Sequence, residues 1–192
     1  MRARVGNVAE DPIGGARPSY HTATRRIGAR HDAHPAGLVE LGIEDPAGEA
    51  AQWCLRSYFA ELDARFDAGF EPAASNPATV AELVEPAGLL LIARLDSDPV
   101  GCGAVKFHGS DPAELKRMWV APAARGLGVG RRLLRELEEQ ARRRGVTATR
   151  LETNESLHEA INLYRSCGYV EVPAFNREPY AHHWFEKHLT TS

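Results

Sequence analysis

The stretch Arg125-Gly126-Leu127-Gly128-Val129-Gly130 decides the fold of this 192-residue chain. It follows a strand-like run from Glu114 to Val120 and precedes an amphipathic, arginine-rich helix. Glycines at alternate positions remove the side chains that would keep a ligand from the backbone. The start of the helix adds unpaired N–H groups and the positive end of the helix dipole. The stretch therefore predicts a binding site for an anionic group, most naturally a phosphate.

Other glycine-rich motifs fit this stretch poorly. A dinucleotide-binding loop has its third glycine one position later and follows an early strand. A P-loop continues with Gly-Lys-Ser/Thr, whereas Gly130 is followed by Arg131 and Arg132. A plain glycine-rich turn before a helix is the structural alternative.

A second strand and helix follow the glycine-rich loop. Residues 149–154 form a strand-like run, and Ser156 is the predicted N-cap of a helix. Apolar residues then recur at helical spacing, and Gly168 stands at the expected C′ position. The residues on this apolar stripe are Leu157, Ala160, Ile161 and Tyr164.

The order of these elements resembles the GCN5-related N-acetyltransferase (GNAT) family. The resemblance covers residues 38–189 and is most specific between Glu114 and Tyr169, where a Leu-Tyr-x-x-x-Gly-Tyr segment ends the run. It implies a single α+β domain. The sheet would be central, mixed, mostly antiparallel and V-shaped, with helices on both faces, splaying apart between strands 114–120 and 149–154.

The remaining pattern predicts elements that fit this fold. Predicted strands cover 37–43, 89–95, 100–107, 169–172 and 184–189, and predicted helices lie within 46–69, 77–84 and 127–144. Residues 1–34 carry several arginines, Gly and Pro without apolar periodicity, which predicts a disordered basic arm or an overextended translation start. Residues 35–192 form the predicted acetyltransferase domain.

Composition excludes several classes of protein. The 23 Lys and Arg residues against 26 Asp and Glu give a net charge of −3, which favours neither nucleic acid nor a membrane as the main partner. The cysteines Cys54, Cys102 and Cys167 show no C-x-x-C spacing, and the histidines form no H-x-x-x-H pair. We therefore predict a cytoplasmic protein without a metal. The sequence does not determine the oligomeric state, and a homodimer is one possibility.

The resemblance implies acetyl-coenzyme A as acyl donor. Its pyrophosphate would lie on the loop amides, with charge added by Arg125, Arg131 and Arg132, and backbone groups of Met118 and Val120 would pair with pantetheine. Many family members carry an asparagine where this chain has Leu157, and Asn154 would substitute for it. The predicted cofactor-binding residues are Met118, Trp119, Val120, Arg125, Gly126, Leu127, Gly128, Val129, Gly130, Arg131 and Asn154.

Two residues are predicted to move protons. Near pH 7 an attacking amine must lose a proton, and the family places a catalytic glutamate in some members where this chain has Glu114. Strand alternation puts Glu114 on the same face as Met118. Tyr164 matches the family's tyrosine that donates a proton to the leaving thiolate. The alternatives are an ion-paired carboxylate at a strand end for Glu114 and a core tyrosine for Tyr164.

The predicted activity is direct acetyl transfer to a primary amine of a small molecule, an amino acid or a peptide. A non-catalytic acyl-coenzyme A sensor and a protein or ribosomal N-acetyltransferase are the alternatives. Acceptor contacts are expected from the 46–84 region and the 173–184 loop. The candidates are Tyr58, Arg65, Phe70, Tyr180 and His182.

Overall fold

A computed structural model of the chain describes residues 39–75, 78–109 and 112–189. The predicted basic arm, residues 1–34, lies outside the described residues. Seven strands are described: β1 (Val39–Ile43), β2 (Gly88–Leu95), β3 (Asp98–Lys106), β4 (Ala113–Val120), β5 (Ala148–Thr153), β6 (Val170–Glu171) and β7 (His183–His188). The α-helices are α1 (Glu49–Arg65), α2 (Val129–Arg143) and α3 (His158–Ser166), with short 3₁₀ turns at Val80–Leu83 and Pro122–Ala124.

The strands form one mixed sheet in the order β1-β2-β3-β4-β5-β7-β6. All neighbouring strands in the sheet are antiparallel except β4 and β5, which run parallel. These two strands pair only at Ala113 with Thr149 and Glu114 with Arg150. Beyond Glu114 they separate, so the predicted V-shaped α+β sheet is confirmed.

Helices cover both faces of the sheet. Alternation along β2 sends Leu89 and Leu91 to one face and Leu90 and Ile92 to the other. The first pair joins a core with Leu133, Leu134 and Leu137 of α2, and the second joins a core with Ala51 and Cys54 of α1. Among the described residues, no helix is both long and apolar enough to cross a membrane.

A β-bulge in β4 changes the faces of its residues. Cys102 of β3 pairs with Trp119 and Ala104 pairs with Lys116, so both Arg117 and Met118 lie opposite the single residue Gly103. Arg117 adopts a left-handed φ of 58°. The extra residue reverses the alternation, so Met118 packs in the α2-side core together with Leu115.

Glu114 precedes Leu115 in the strand and therefore points to the opposite, α1-side face. The expectation that Glu114 and Met118 share a face is wrong. Simple alternation does not anticipate an extra residue in the strand.

The start of α3 also differs from prediction. Leu157, not Ser156, is its N-cap residue. The Ser156 N–H donates to Asn154 Oδ1 at 2.9 Å, which makes a turn before the helix, and Ser156 Oγ has no hydrogen-bond partner among the described residues. The predicted glycine at the other end is confirmed, since Gly168 has a φ of 89° directly after the Cys167 C-cap.

Candidate active site

The separation of β4 from β5 opens a cleft with two connected cavities. The larger, which we call the loop cavity, has a volume of about 440 Å³ and adjoins the 125–131 loop. The smaller, which we call the aromatic cavity, has a volume of about 110 Å³. Both are lined by Tyr58, Leu62, Met118, Leu157, Ala160 and Tyr164, so the cavities meet at these side chains.

Most of the predicted cofactor-binding residues line the loop cavity. They are Met118, Trp119, Val120, Arg125, Gly126, Gly128, Val129, Gly130 and Arg131. Leu127 does not line it, and its side chain is half exposed. Asn154 lines the aromatic cavity instead.

The backbone N–H groups of the loop are available to a ligand. Within the described part of the chain, the N–H groups from Gly126 to Arg131 donate to no protein acceptor, and the first bond of α2 runs from Arg132 N to Gly128 O at 3.1 Å. Gly128 has a φ of 79°, and a Cβ added there would meet no atom within 4 Å. The loop therefore presents a row of unpaired donors at the positive end of a helix, as an anion site requires.

A chain of ion pairs crosses the loop cavity. Arg125 Nε donates to Val120 O at 3.1 Å, and its guanidinium pairs with Glu61 of α1. Glu61 also pairs with Arg65 at 3.2 Å, and Arg65 pairs with Glu159 of α3 at 2.8 Å. These contacts hold Arg125 against the carbonyl of Val120, a backbone group that was predicted to bind pantetheine.

Tyr164 lies where the two cavities meet. It is 5% exposed, and its ring contacts those of Tyr169 and Phe185. Its hydroxyl makes no hydrogen bond to another described residue, although it borders both cavities. Burial raises the pKa of Tyr164, so the hydroxyl keeps its proton at neutral pH. This arrangement suits a proton donor.

Glu114 lies at the paired end of β4 and lines neither cavity. Its carboxylate is 2.8 Å from Arg150, 3.5 Å from Lys116 and 3.8 Å from His108. Burial acts to raise the pKa of Glu114, but Lys116 and Arg150 outweigh it, so the pKa lies below its ordinary value. Two cations, Lys116 and Arg150, thus weaken this base, and the general-base role of Glu114 stays a prediction.

A second carboxylate, Glu152, was missed by sequence reasoning. It lies on β5, borders the aromatic cavity and is 9% exposed at its side chain. Glu152 Oε1 pairs with Lys116, whereas Oε2 is buried and has no hydrogen-bond partner among the described residues. One feature of the sequence could have indicated Glu152: it is the only carboxylate in the strand-like run of β5, which borders the splay.

Aromatic rings frame the aromatic cavity. Phe66, Phe70 and Tyr180 contact one another at centroid distances of 4.9–5.8 Å. Of the predicted acceptor contacts, Tyr58, Phe70 and Tyr180 line this cavity. Arg65 lines the loop cavity, and His182 lines neither.

The Asn154 side chain makes hydrogen bonds within the protein. Its Nδ2 donates to Tyr180 O at 2.8 Å, and its Oδ1 accepts from Ser156 N. The side chain therefore ties the 178–181 loop to the end of β5. Its contact with pantetheine stays a prediction.

Comparison with known proteins agrees with this fold and cleft. Residues 49–169 match the model of the Acetyltransferase (GNAT) family. The IAA acetyltransferase of Azospirillum brasilense is 39% identical over 139 residues, which cover 71% of this chain and 88% of that protein. The N-alpha-acetyltransferase RimI of Mycobacterium tuberculosis is 37% identical over 119 residues, which cover 59% of this chain and 71% of that protein.

The fold has solved counterparts. An acetyltransferase of the GNAT family from Staphylococcus aureus Mu50 aligns with a TM-score of 0.66 at 14% identity, covering 80% of this chain and 100% of that chain. At this identity the likeness concerns the fold alone.

The family match spans more than half of the sequence and includes the glycine-rich loop, both strands of the splay and Tyr164. The chain belongs to the GNAT acetyltransferase family, which confirms the resemblance seen in its motifs. It is an N-acetyltransferase.

Proposed function

We propose that this N-acetyltransferase uses acetyl-coenzyme A and transfers the acetyl group directly to a primary amine held in the aromatic cavity. The observation that carries the proposal is the row of backbone amides from Gly126 to Arg131, which donate to no acceptor in the described part of the chain and lie at the mouth of a cleft that continues past Tyr164. Bound acetyl-coenzyme A supplies the thioester from which the acetyl group is taken.

The residues present fit such a ligand. The loop amides offer donors to a pyrophosphate, and β4 beyond Glu114 is no longer paired with β5, so its edge can accept the amides of a pantetheine arm. Arg125 donates a hydrogen bond to the Val120 carbonyl, which therefore already has a partner. Its release from Glu61 and Val120 would free that carbonyl and bring the guanidinium to the phosphates, where charge-assisted bonds are strong.

Two groups of the chain would move protons. Glu152 Oε2 accepts no hydrogen bond from any described residue, and Glu152 borders the aromatic cavity, so it can take the proton that the amine loses on attack. Tyr164 remains protonated at neutral pH and can donate its proton to the departing sulfur. Glu114 is the competing base, and its ion pairs with Lys116 and Arg150 weaken it by lowering its pKa.

The acceptor is an amine of a small molecule, an amino acid or a peptide. One relative is named an N-alpha-acetyltransferase, which supports an amino-group acceptor. The described cysteines are free thiols, as expected of a cytoplasmic protein.

The test combines binding with turnover. Calorimetry should show that acetyl-coenzyme A binds, and a panel of primary amines should release free thiol in its presence. A raised melting temperature without thiol release from any amine would instead support a non-catalytic acyl-coenzyme A module. Failure of acetyl-coenzyme A to bind would overturn the assignment of the loop.

A further inference from the structure

Arg117 is a cation of the aromatic cavity without an ionic partner. Within residues 39–75, 78–109 and 112–189, no carboxylate forms an ion pair with its guanidinium, which donates to Ala78 O at 3.1 Å. The guanidinium lies 4.4 Å from the centroid of the Phe59 ring and 5.9 Å from that of Tyr58. Burial lowers the pKa of Arg117. A partly desolvated cation is more stable when an anion pairs with it, and none of the described carboxylates makes that pair.

The backbone, rather than an ion pair, holds Arg117 in place. Arg117 is the left-handed residue of the β4 bulge, and its carbonyl accepts a hydrogen bond from the buried Cys102 thiol at 3.2 Å. A left-handed conformation is unfavourable for a residue with a side chain and persists where the surrounding structure enforces it, which is common at ligand sites. The bulge thus maintains an arginine at the cavity wall.

The same cavity is bordered by a carboxylate with one oxygen that makes no hydrogen bond to a described residue. Glu152 Oε2 is buried there without a hydrogen-bond partner among the described residues, while Lys116 pairs with Oε1. Within the described chain, Arg117 therefore brings a positive charge without a carboxylate partner to this cavity, and Glu152 brings a carboxylate oxygen without a hydrogen bond. A zwitterion complements both groups, and an α-amino acid carries its ammonium and carboxylate groups on a single carbon.

We propose that the acceptor is an α-amino acid whose carboxylate pairs with Arg117 and whose amine meets Glu152 beside Tyr164. This inference rests on the proposed function and selects one class among its acceptors. The rings of Phe66, Phe70 and Tyr180, around a volume of about 110 Å³, favour a compact apolar side chain.

The proposed reaction balances without further reactants. The amine nitrogen forms a bond to the acetyl carbonyl carbon, and the carbon–sulfur bond breaks. The ammonium group first gives one proton to Glu152, which leaves a neutral amine to attack. Tyr164 gives its proton to the departing sulfur and takes the second proton from the nitrogen, so the products are the neutral amide, the thiol and one proton that Glu152 releases to solvent. The carboxylate of the acceptor undergoes no bond change, so Arg117 determines specificity and is not itself a proton carrier.

The experiment compares acceptors that differ only in the carboxylate. Alanine, valine, leucine, methionine and phenylalanine are assayed by thiol release beside their α-carboxamides and decarboxylated amines. The carboxamides lose the ammonium proton more easily because no neighbouring negative charge stabilises it, so solution chemistry favours them. We expect the opposite order on the enzyme, with kcat/KM at least about tenfold higher for the free acids.

Variants connect the preference to Arg117. Arg117→Met keeps the length of the stem and pays a similar left-handed backbone penalty, but it removes the charge. It should abolish the preference while retaining turnover of the carboxamides. Arg117→Lys keeps the charge without the planar fork and should give an intermediate preference. Arg135→Met, at an exposed position of α2 that lines neither cavity of the cleft, is the matched control and should leave the preference unchanged.

Each outcome decides the inference. Melting temperature and acetyl-coenzyme A affinity establish that each variant folds. Wild-type enzyme that acetylates carboxamides or simple amines as well as free acids would overturn the inference and leave the proposed function intact. A preference that survives in Arg117→Met would overturn the role of Arg117. Absence of thiol release with every amine would overturn the proposed function itself.

Discussion

Gly128 and Gly145 stand at the two ends of α2 in the same left-handed conformation. Their φ angles are 79° and 76°, and a Cβ added to either would meet no atom within 4 Å. The two positions differ in their surroundings, since Gly128 borders the loop cavity and Gly145 follows the C-terminal end of the helix. Substitutions at both glycines should cause similar backbone strain, but only a substitution at Gly128 should also affect ligand binding.

Replacing Gly128 with valine should weaken acetyl-coenzyme A binding. The new side chain strains a left-handed position by about 1–2 kcal/mol and enters the space beside the free amides. We expect at least a tenfold, or about 1.4 kcal/mol, loss of affinity by calorimetry. Gly145→Val should destabilise the protein to a similar extent in urea unfolding and keep the affinity. Equal affinities in both variants would contradict the loop assignment.

Replacing Tyr164 with phenylalanine should lower turnover. The ring keeps its contacts with Tyr169 and Phe185, but the proton donor is lost. We expect kcat to fall about 100-fold, the lower end of the range for general acid catalysis, with little change in acetyl-donor affinity. Steady-state kinetics measure both quantities.

Tyr169 provides the control for that substitution. Its hydroxyl is 2.8 Å from Thr149 Oγ1 in a buried hydrogen bond. Tyr169→Phe should therefore cost about 1 kcal/mol of unfolding free energy and retain kcat. Unchanged turnover in Tyr164→Phe would remove the acid role from this residue.

The two carboxylates near the splay can be distinguished by glutamine substitutions. Glu152→Gln removes the proposed base while keeping the side-chain size, and we expect kcat/KM at pH 7 to fall about 100-fold. Glu114→Gln disrupts the ion pairs with Arg150 and Lys116 instead, so it should lower stability and largely preserve the rate. The reverse result, with the rate lost only in Glu114→Gln, would restore Glu114 as the base.

The ionised carboxylate of Glu82 should stabilise the fold, and this stabilisation should decrease at acidic pH. Its carboxylate pairs with Lys106 at 2.8 Å and accepts from the Thr79 N–H at 2.7 Å. These bonds lower the pKa of Glu82 to about 2 in the folded protein. A lowered pKa stabilises the fold above the unfolded value of about 4.5, and this contribution is lost as pH falls towards 2.

The variant Glu82→Gln tests this dependence. Because the group is partly exposed, we expect a loss of only about 0.5–1 kcal/mol at pH 7 in urea unfolding, diminishing as pH is lowered to 3. Glu40→Gln, at an exposed position of β1, serves as the control. A difference between wild type and Glu82→Gln that stays constant from pH 7 to pH 3 would disagree with the lowered pKa.

Local sequence determined much of this protein. The glycine spacing from Gly126 to Gly130, the apolar stripe of α2 and the glycines after two helices each act within a few residues. Backbone freedom at glycine and helical periodicity do not depend on distant contacts. The loop, the helices and the position of Tyr164 could therefore be predicted, while the order of motifs identified the family.

The tertiary structure alone decided which charged groups meet. A bulge is defined by the partner strand, so no feature of residues 114–120 by themselves showed that Arg117 and Met118 would both lie opposite Gly103. Likewise, Glu61 and Arg125 are 64 residues apart and pair only because α1 crosses the cleft. Which of Glu114 and Glu152 faces the cavity depends on where β4 leaves β5, because pairing ends at Glu114 and opens the space beside Glu152.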